Sequence, residues 1–221
     1  MTTFVSQDKQ DSFLESTIFK GFKNGFFVDV GAHDGVSINN TLYFEKANNW
    51  AGINIEPIRE VYDKLTINRP STININCAVC EHDGTAEFIC NSGYTEMISG
   101  LKEHYDPRHA ARLSRELTRF KGASNTIIVP TKRLSTVFSE HSVSHVHYLS
   151  IDVEGAEFSV IKSIDFDKVF IDVIGFENNY PDVSIPIVKY LQERGYLPIN
   201  HRSMDIFMIH KDSQFLSNLS G

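Results

Sequence analysis

The chain has 221 residues, enough for one domain with an ordinary sheet-and-helix core. A hydrophobic share of 41% and a charged share of 22% are those of a globular protein that folds in water. A formal net charge of −7 argues against a nucleic-acid or anionic-membrane binder, because phosphate surfaces demand clustered Lys and Arg.

The opening residues, MTTFVSQDKQDSFLES, lack the basic start and apolar run of a secretory signal. No stretch approaches the ~20 apolar residues that span a bilayer. Residues 1–24 are expected to form a helical extension whose Phe4, Phe13, Leu14 and Phe19 pack on a sheet or cover a site. Phe26–Val30 is a short apolar strand that stops at Gly31, and Thr41–Asn49 reads as helix. Gly52–Ile55 is a second strand, Ile58–Asn68 a second helix, and Thr72–Val79 a third strand. Thr85–Cys90 follows a His-Asp-Gly turn and reads as strand. Residues 91–122 break the pattern and are expected as an acceptor-side insertion.

After the insertion come strand Thr126–Pro130, a short helix near Leu134–Ser139, strand His147–Ile151, helix Ala156–Ser163 and strand Val169–Phe176. Helix Val183–Arg194 and a closing strand pair, Tyr196–Ile199 and Asp205–Ile209, complete the series. Alternating strands and helices predict a mostly parallel sheet with helices on both faces. The connection between the last two strands is too short for a crossover helix, so they should pair antiparallel. With no repeat or linker in view, residues 1–221 are expected as one domain.

The three cysteines, Cys77, Cys80 and Cys90, form no disulfide framework and suit a reducing, cytoplasmic location. The Cys77–Cys80 CxxC lacks a second pair at zinc-ligand spacing; it reads first as buried thiols, with metal or redox work the other reading.

Ligands of open α/β sheets bind beyond the carboxyl ends of the strands. Here the first strand runs into Val28-Asp29-Val30-Gly31-Ala32-His33-Asp34-Gly35, a G-x-x-x-G turn rather than the G-x-G-x-x-G of a dinucleotide site. Glu56 closes the second strand about 20 positions beyond that turn, where an acid holds ribose hydroxyls. Asp29 and Asp34 oppose a pyrophosphate but attract the ammonium and sulfonium of S-adenosylmethionine. An NAD-type oxidoreductase and a non-catalytic ligand-binding module are the competing readings. Asp29 as a loop brace, Glu56 as a solvated strand end and His33 as a structural residue are the bland ones.

These segments, with Asn40-Thr41, Gly52-Ile53-Asn54-Ile55-Glu56-Pro57, Met97-Ile98-Ser99-Gly100 and Leu149-Ser150-Ile151-Asp152-Val153-Glu154-Gly155-Ala156-Glu157, resemble the FkbM family of methyltransferases. The resemblance covers roughly residues 26–210. It implies a Rossmann-like class I methyltransferase fold, a seven-stranded mostly parallel sheet with a final antiparallel strand. It also implies S-adenosylmethionine as donor and O-methylation of a sugar or polyketide-type hydroxyl, for instance on a glycan, nucleotide sugar or deoxyhexose. Carried onto this sequence, the donor site is Asp29, Gly31, Ala32, His33, Gly35 and Thr41, the ribose acid Glu56 with Pro57, and the adenine-side segment Cys77-Ala78-Val79. Asp152 borders the donor as well. Ser150 stands where the family commonly has lysine, which leaves that lysine's role without a counterpart.

The acceptor chemistry is expected at the ends of the middle strands. Asp152, Glu154 and Glu177 are the candidate catalytic acids, Asp152 as general base. Asp152, Glu177 and Asn178 would also suit a hard divalent cation such as Mg²⁺ or Mn²⁺. Arg108, Arg112, Arg115 and Arg119 recur at helical spacing, either as a solvated face or as a seat for an acidic acceptor. Tyr94, Tyr105 and Tyr180 are stacking candidates for a sugar ring, or core residues.

Overall fold

The computed structural model describes residues 3–91, 98–104, 108, 113, 115, 117, 119, 123–178, 180–199 and 205–220. The chain opens with α1 (Gln10–Phe13), which runs on as a π-helical turn over Leu14–Phe19. Then follow β1 (Phe26–Val30), α2 (Leu42–Asn48), β2 (Ala51–Ile55), α3 (Arg59–Asn68) and β3 (Ile73–Ile75). Next come β4 (Ala78–Val79), β5 (Gly84–Asn91), β6 (Gly100–Leu101) and β7 (Ser124–Lys132). The last part is α4 (Leu134–Glu140), β8 (His145–Ile151), α5 (Glu157–Lys162), β9 (Phe170–Glu177), α6 (Pro181–Gln192), β10 (Tyr196–Ile199) and β11 (Asp205–His210).

Seven strands form the main sheet in the order β10-β11-β9-β8-β1-β2-β3. All neighbours pair parallel except β11, which runs against both β9 and β10. The parallel strands are apolar on both faces because helices cover both. In β1 the side chains alternate: Val28 and Val30 pack with α4, α5 and α6 through Leu134, Val160 and Leu191. Phe27 joins the opposite cluster with Leu14, Ile18, Phe19, Phe44, Trp50, Tyr148 and Phe207. Pro181 opens α6 at the position where a missing N–H costs nothing.

Two expectations need correction. Thr72–Val79 is not one strand. Asn76 interrupts it by donating its side-chain amide to the carbonyls of Glu56 (2.8 Å) and Pro57 (3.0 Å), which turns the chain out of the sheet. Ala78–Val79 then pairs with Thr131–Lys132 in a second sheet of order β4-β7-β5-β6. Strands β5 and β7, read as part of the series, pair antiparallel in this smaller sheet, aligned from Gly84 opposite Thr131 to Asn91 opposite Ser124. Its inner face, with Phe88, Leu101 and Val129, packs on Ile58, Val61 and Ala156.

The N-terminal segment is part of the core. Phe19, 2% exposed, lies edge-on to Phe44 (5.3 Å), Trp50 (4.8 Å) and Phe215 (5.1 Å). Phe19→Ala should therefore destabilise the protein by about 3–5 kcal/mol in urea unfolding. A loss below about 1 kcal/mol would mean that this segment merely rests on the sheet.

Candidate functional site

A cleft lies beyond the carboxyl ends of β1, β2, β8 and β9, where an open α/β sheet places its ligands. It encloses about 1030 Å³, open solvent at its mouth included. The turn after β1 forms its floor. Gly31 and Ala32 donate to the Ile55 carbonyl (3.0 and 3.1 Å), and Asp152 N–H donates to the Val30 carbonyl (2.9 Å). Three strand ends are thus stitched together. Gly31 has φ +86, and a Cβ there would sit 1.8 Å from the Asp152 carbonyl oxygen, so no side chain fits.

Glu56 is 5% exposed and lines the cleft at the end of β2. One carboxylate oxygen accepts the His33 N–H (3.2 Å) and the other the Ile58 N–H (2.8 Å). Both keep lone pairs for further donors, such as a ribose diol. Asp29 is buried on the same floor. Burial pushes its carboxyl up, opposed by the Thr41 hydroxyl (2.8 Å), the Arg69 charge and the Asn39 amide (2.9 Å). Asp34 does not line the cleft. It accepts the Val36 and Ser37 N–H groups (2.9 and 2.7 Å), which hold its carboxyl low despite partial burial. Its expected attraction for a cationic ligand therefore gives way to a turn brace.

Arg69 and Asn39 hold this loop from behind, and neither stands out in the sequence. Arg69 is fully buried and paired with Glu45; it also donates to the Gly35 carbonyl (3.0 Å), Asn39 Oδ1 (3.1 Å) and Thr41 Oγ1 (3.3 Å). Gly35 and Thr41 belong to this support and do not line the cleft. Ala32, His33, Pro57, Cys77 and Ala78 do line it. Cys77 is an inert thiol, pushed up to about 12 by burial first of all.

At the other end of the cleft stand Asp152, Glu154 and Glu177, one oxygen of each within 4.8 Å of the others. Asp152 opens onto the cleft while protein surrounds it elsewhere. That enclosure, then the charges of Glu177, Asp205, Glu157 and Asp29, push its carboxyl well above the usual range. Asp205 was not foreseen; the antiparallel register sets it opposite Glu177. Asn178 follows Glu177 but does not line the cleft. Ser150, also buried, meets the Asn40 amide at 3.3 Å.

Three non-glycine residues with left-handed backbone line the cleft: His33 (φ 50), Ile38 (φ 45) and Glu154 (φ 56). For β-branched Ile38 that conformation is strained, and such strain clusters where a site needs it. Gln7, from the N-terminal segment, lines the cleft too.

Five carboxylates border the cleft, and no Lys or Arg does so among the described residues. Arg108 is held by Asp182 (2.9 and 3.0 Å) and lies over the Tyr180 ring (3.9 Å). Arg115 and Arg119 are exposed on helical backbone. Arg112, Tyr94 and Tyr105 lie outside the described residues.

The sheet order and the site at the strand ends are those of a class I methyltransferase. A model of the FkbM methyltransferase domain matches residues 29–198, so the chain belongs to the FkbM methyltransferase family, and S-adenosylmethionine follows from that membership as its donor. The FkbM methyltransferase from Methylobacillus flagellatus superposes with a TM-score of 0.53 at 13% identity over 86% of this chain. This chain spans only 44% of that protein's length. The METTL16 methyltransferase domain gives 0.51 at 11% identity, covering 92% of this chain and 67% of that one. No curated protein matches the sequence. Among the described residues no helix is long and apolar enough to cross a membrane.

The acid cluster has a measurable cost. Burial first, with Asp8 adding, raises Asp205 to about 6, from 3.8 for a free Asp side chain, against a Gln10 hydrogen bond. A carboxyl raised on folding contributes stability below its unfolded pKa and loses it as pH climbs through the folded value. Stability should therefore fall between about pH 4 and 6 for this group. Asp205→Asn should flatten that limb of a Tm-against-pH curve. An unchanged curve in the variant would mean that folding does not raise the Asp205 carboxyl.

Proposed function

We propose that this protein transfers a methyl group from S-adenosylmethionine to the hydroxyl of an uncharged, sugar-like acceptor. The observation that carries this reading is the cleft wall of five carboxylates, with no cation on it among the described residues. Coulomb attraction favours an ammonium and a sulfonium there and opposes a pyrophosphate, which disfavours NAD. The same wall disfavours an acidic acceptor, and Arg108 is already committed to Asp182.

The Asp29–His33 turn would hold the donor's amino-acid end, Glu56 its ribose hydroxyls, and Pro57, Cys77 and Ala78 its adenine. When bound, S-adenosylmethionine supplies a sulfonium-activated methyl group. The chain's own task is to hold the acceptor oxygen in line, worth ~7–11 kcal/mol of barrier, and to remove its proton. Asp152 is the base: burial first, then the charges of Glu177 and Asp205, give it the raised proton affinity that abstraction from a hydroxyl requires. Glu154 and Glu177 position the acceptor through hydrogen bonds. The three carboxylates are also hard oxygen donors of the kind Mg²⁺ or Mn²⁺ takes.

Calorimetry with S-adenosylhomocysteine should show binding that Glu56→Ala weakens roughly ten- to a hundredfold, the loss of charge-assisted hydrogen bonds. Binding of NAD⁺ and not of S-adenosylhomocysteine would overturn the assignment. On a panel of neutral glycosides and deoxyhexoses, Asp152→Asn should lower kcat by roughly 10²–10⁴-fold while S-adenosylhomocysteine still binds. Near-normal turnover in that variant removes Asp152 from the chemistry. Dialysis against EDTA decides the role of the trio: surviving activity assigns it to proton removal alone, and loss restored by Mg²⁺ assigns a metal.

A further inference from the structure

A second set of ligand-type side chains lies outside the methyl-transfer cleft, at the turn that follows β4. Cys80, fully buried, meets exposed His82 and Glu103 so that one ligand atom of each lies within 4.8 Å of the others. Cys80 Sγ stands 3.6 Å from His82 Nδ1 and 3.9 Å from Nε2. A Zn–S bond of about 2.3 Å and a Zn–N bond of about 2.05 Å at a tetrahedral angle put sulfur and nitrogen about 3.6 Å apart. The Sγ–Nδ1 separation is thus that of two ligands on one ion, and the exposed His82 ring has to turn on binding, because an ion on the Nδ1 lone pair holds sulfur farther from Nε2 than it stands here. Glu103 comes from the 3₁₀ turn Lys102–His104, and its exposed side chain has the freedom to close the remaining distance.

The environment separates this trio from its neighbours in the molecule. His145, His147 and Asp172 also converge. There His147 Nδ1 accepts the Phe26 N–H (3.0 Å), which puts the neutral ring's proton on Nε2, and Asp172 is taken by Ser213 (2.5 Å) and His145 (2.6 Å). The acids of the cleft offer oxygen alone. Among the described residues, only the set at Cys80 joins soft sulfur with nitrogen and a carboxylate, the mixture that favours a zinc-like ion over Mg²⁺.

We propose that Cys80, His82 and Glu103 form a site for a thiophilic divalent cation of the zinc type, with water completing its shell. As the metal–sulfur bond forms, the Cys80 S–H bond breaks and its proton leaves to solvent. His82 binds as neutral imidazole through Nδ1 and Glu103 as carboxylate, so one proton is released per ion. The ion ties the Lys102–His104 turn to the turn between β4 and β5. The His104 carbonyl closes on Gly155, where a Cβ would sit 2.9 Å from it, and Gly155 adjoins Glu154 of the cleft. The site is therefore a pin on the wall that also carries Leu101 and Ser99, and not part of the chemistry.

The experiment titrates metal-free, reduced protein with Co²⁺. The expected result is a thiolate-to-cobalt charge-transfer band in the near ultraviolet with tetrahedral visible bands, both displaced by Zn²⁺, and a Zn²⁺-dependent rise in Tm. Oxygen ligands in the cleft give no such charge-transfer band, so Co²⁺ bound there is distinguishable. His82→Ala changes an exposed side chain and should lose both the band and the Tm rise with its circular dichroism unchanged. Cys80→Ser should lose the band even if it is less stable. Absence of the band in the native protein, or its persistence in His82→Ala, overturns the site.

Discussion

The gathering of carboxylates at the carboxyl ends of β1, β8 and β9 and the amino end of β11 is the constraint around which this site is arranged. Asp29, Asp152, Glu177 and Asp205 come from four adjacent strands, and the sheet topology leaves them no room to separate. Burial raises Asp29, Asp152 and Asp205, and at Asp152 the charges of Glu177, Asp205 and Asp29 add to the rise. The countercharge is supplied from behind the sheet by Arg69, which is fully enclosed and reaches the loop under Asp29 through Asn39 and Thr41. Burying a guanidinium is expensive unless its donors find acceptors, and the Glu45 carboxylate, the Gly35 carbonyl, Asn39 and Thr41 supply them. The cleft is thereby left strongly acidic on the side that faces a ligand and balanced on the side that faces the core.

Much of this was readable from local pattern. Phe26–Val30, the glycine turn after it and Glu56 are a strand, a loop and a strand end whose spacing a single chain segment specifies. The closing antiparallel pair was equally plain, since a short connection leaves no other geometry. What escaped depends on partners far away in sequence. Thr72–Val79 has the composition of one strand; the break at Asn76 exists because its amide finds two carbonyls nearly twenty residues earlier. Residues 84–91 and 124–132 look like members of an alternating series, and only their mutual pairing removes them from the main sheet. Asp205 joined the acids through register alone, and Arg69 through burial that nothing in its flanking residues announces.

Family membership and geometry constrain different things. The FkbM domain match spans residues 29–198, from β1 into β10, whereas Gln7 and the aromatic helix before residue 29 contribute a cleft wall and a core face. The cleft is thus bordered by segments from inside and outside the matched region.

The left-handed backbone at His33, Ile38 and Glu154 bears on how such a cleft changes over time. Glycine would relieve the torsional load at each position and would be the easiest replacement for folding alone. It would also remove an imidazole, a butyl wall and a carboxylate from the lining and loosen the three loops that present them. The chain holds these positions at the expense of ease of folding, so its mouth behaves as a preset mould, and drift toward a new acceptor is easier through the side chains there than through the loop paths.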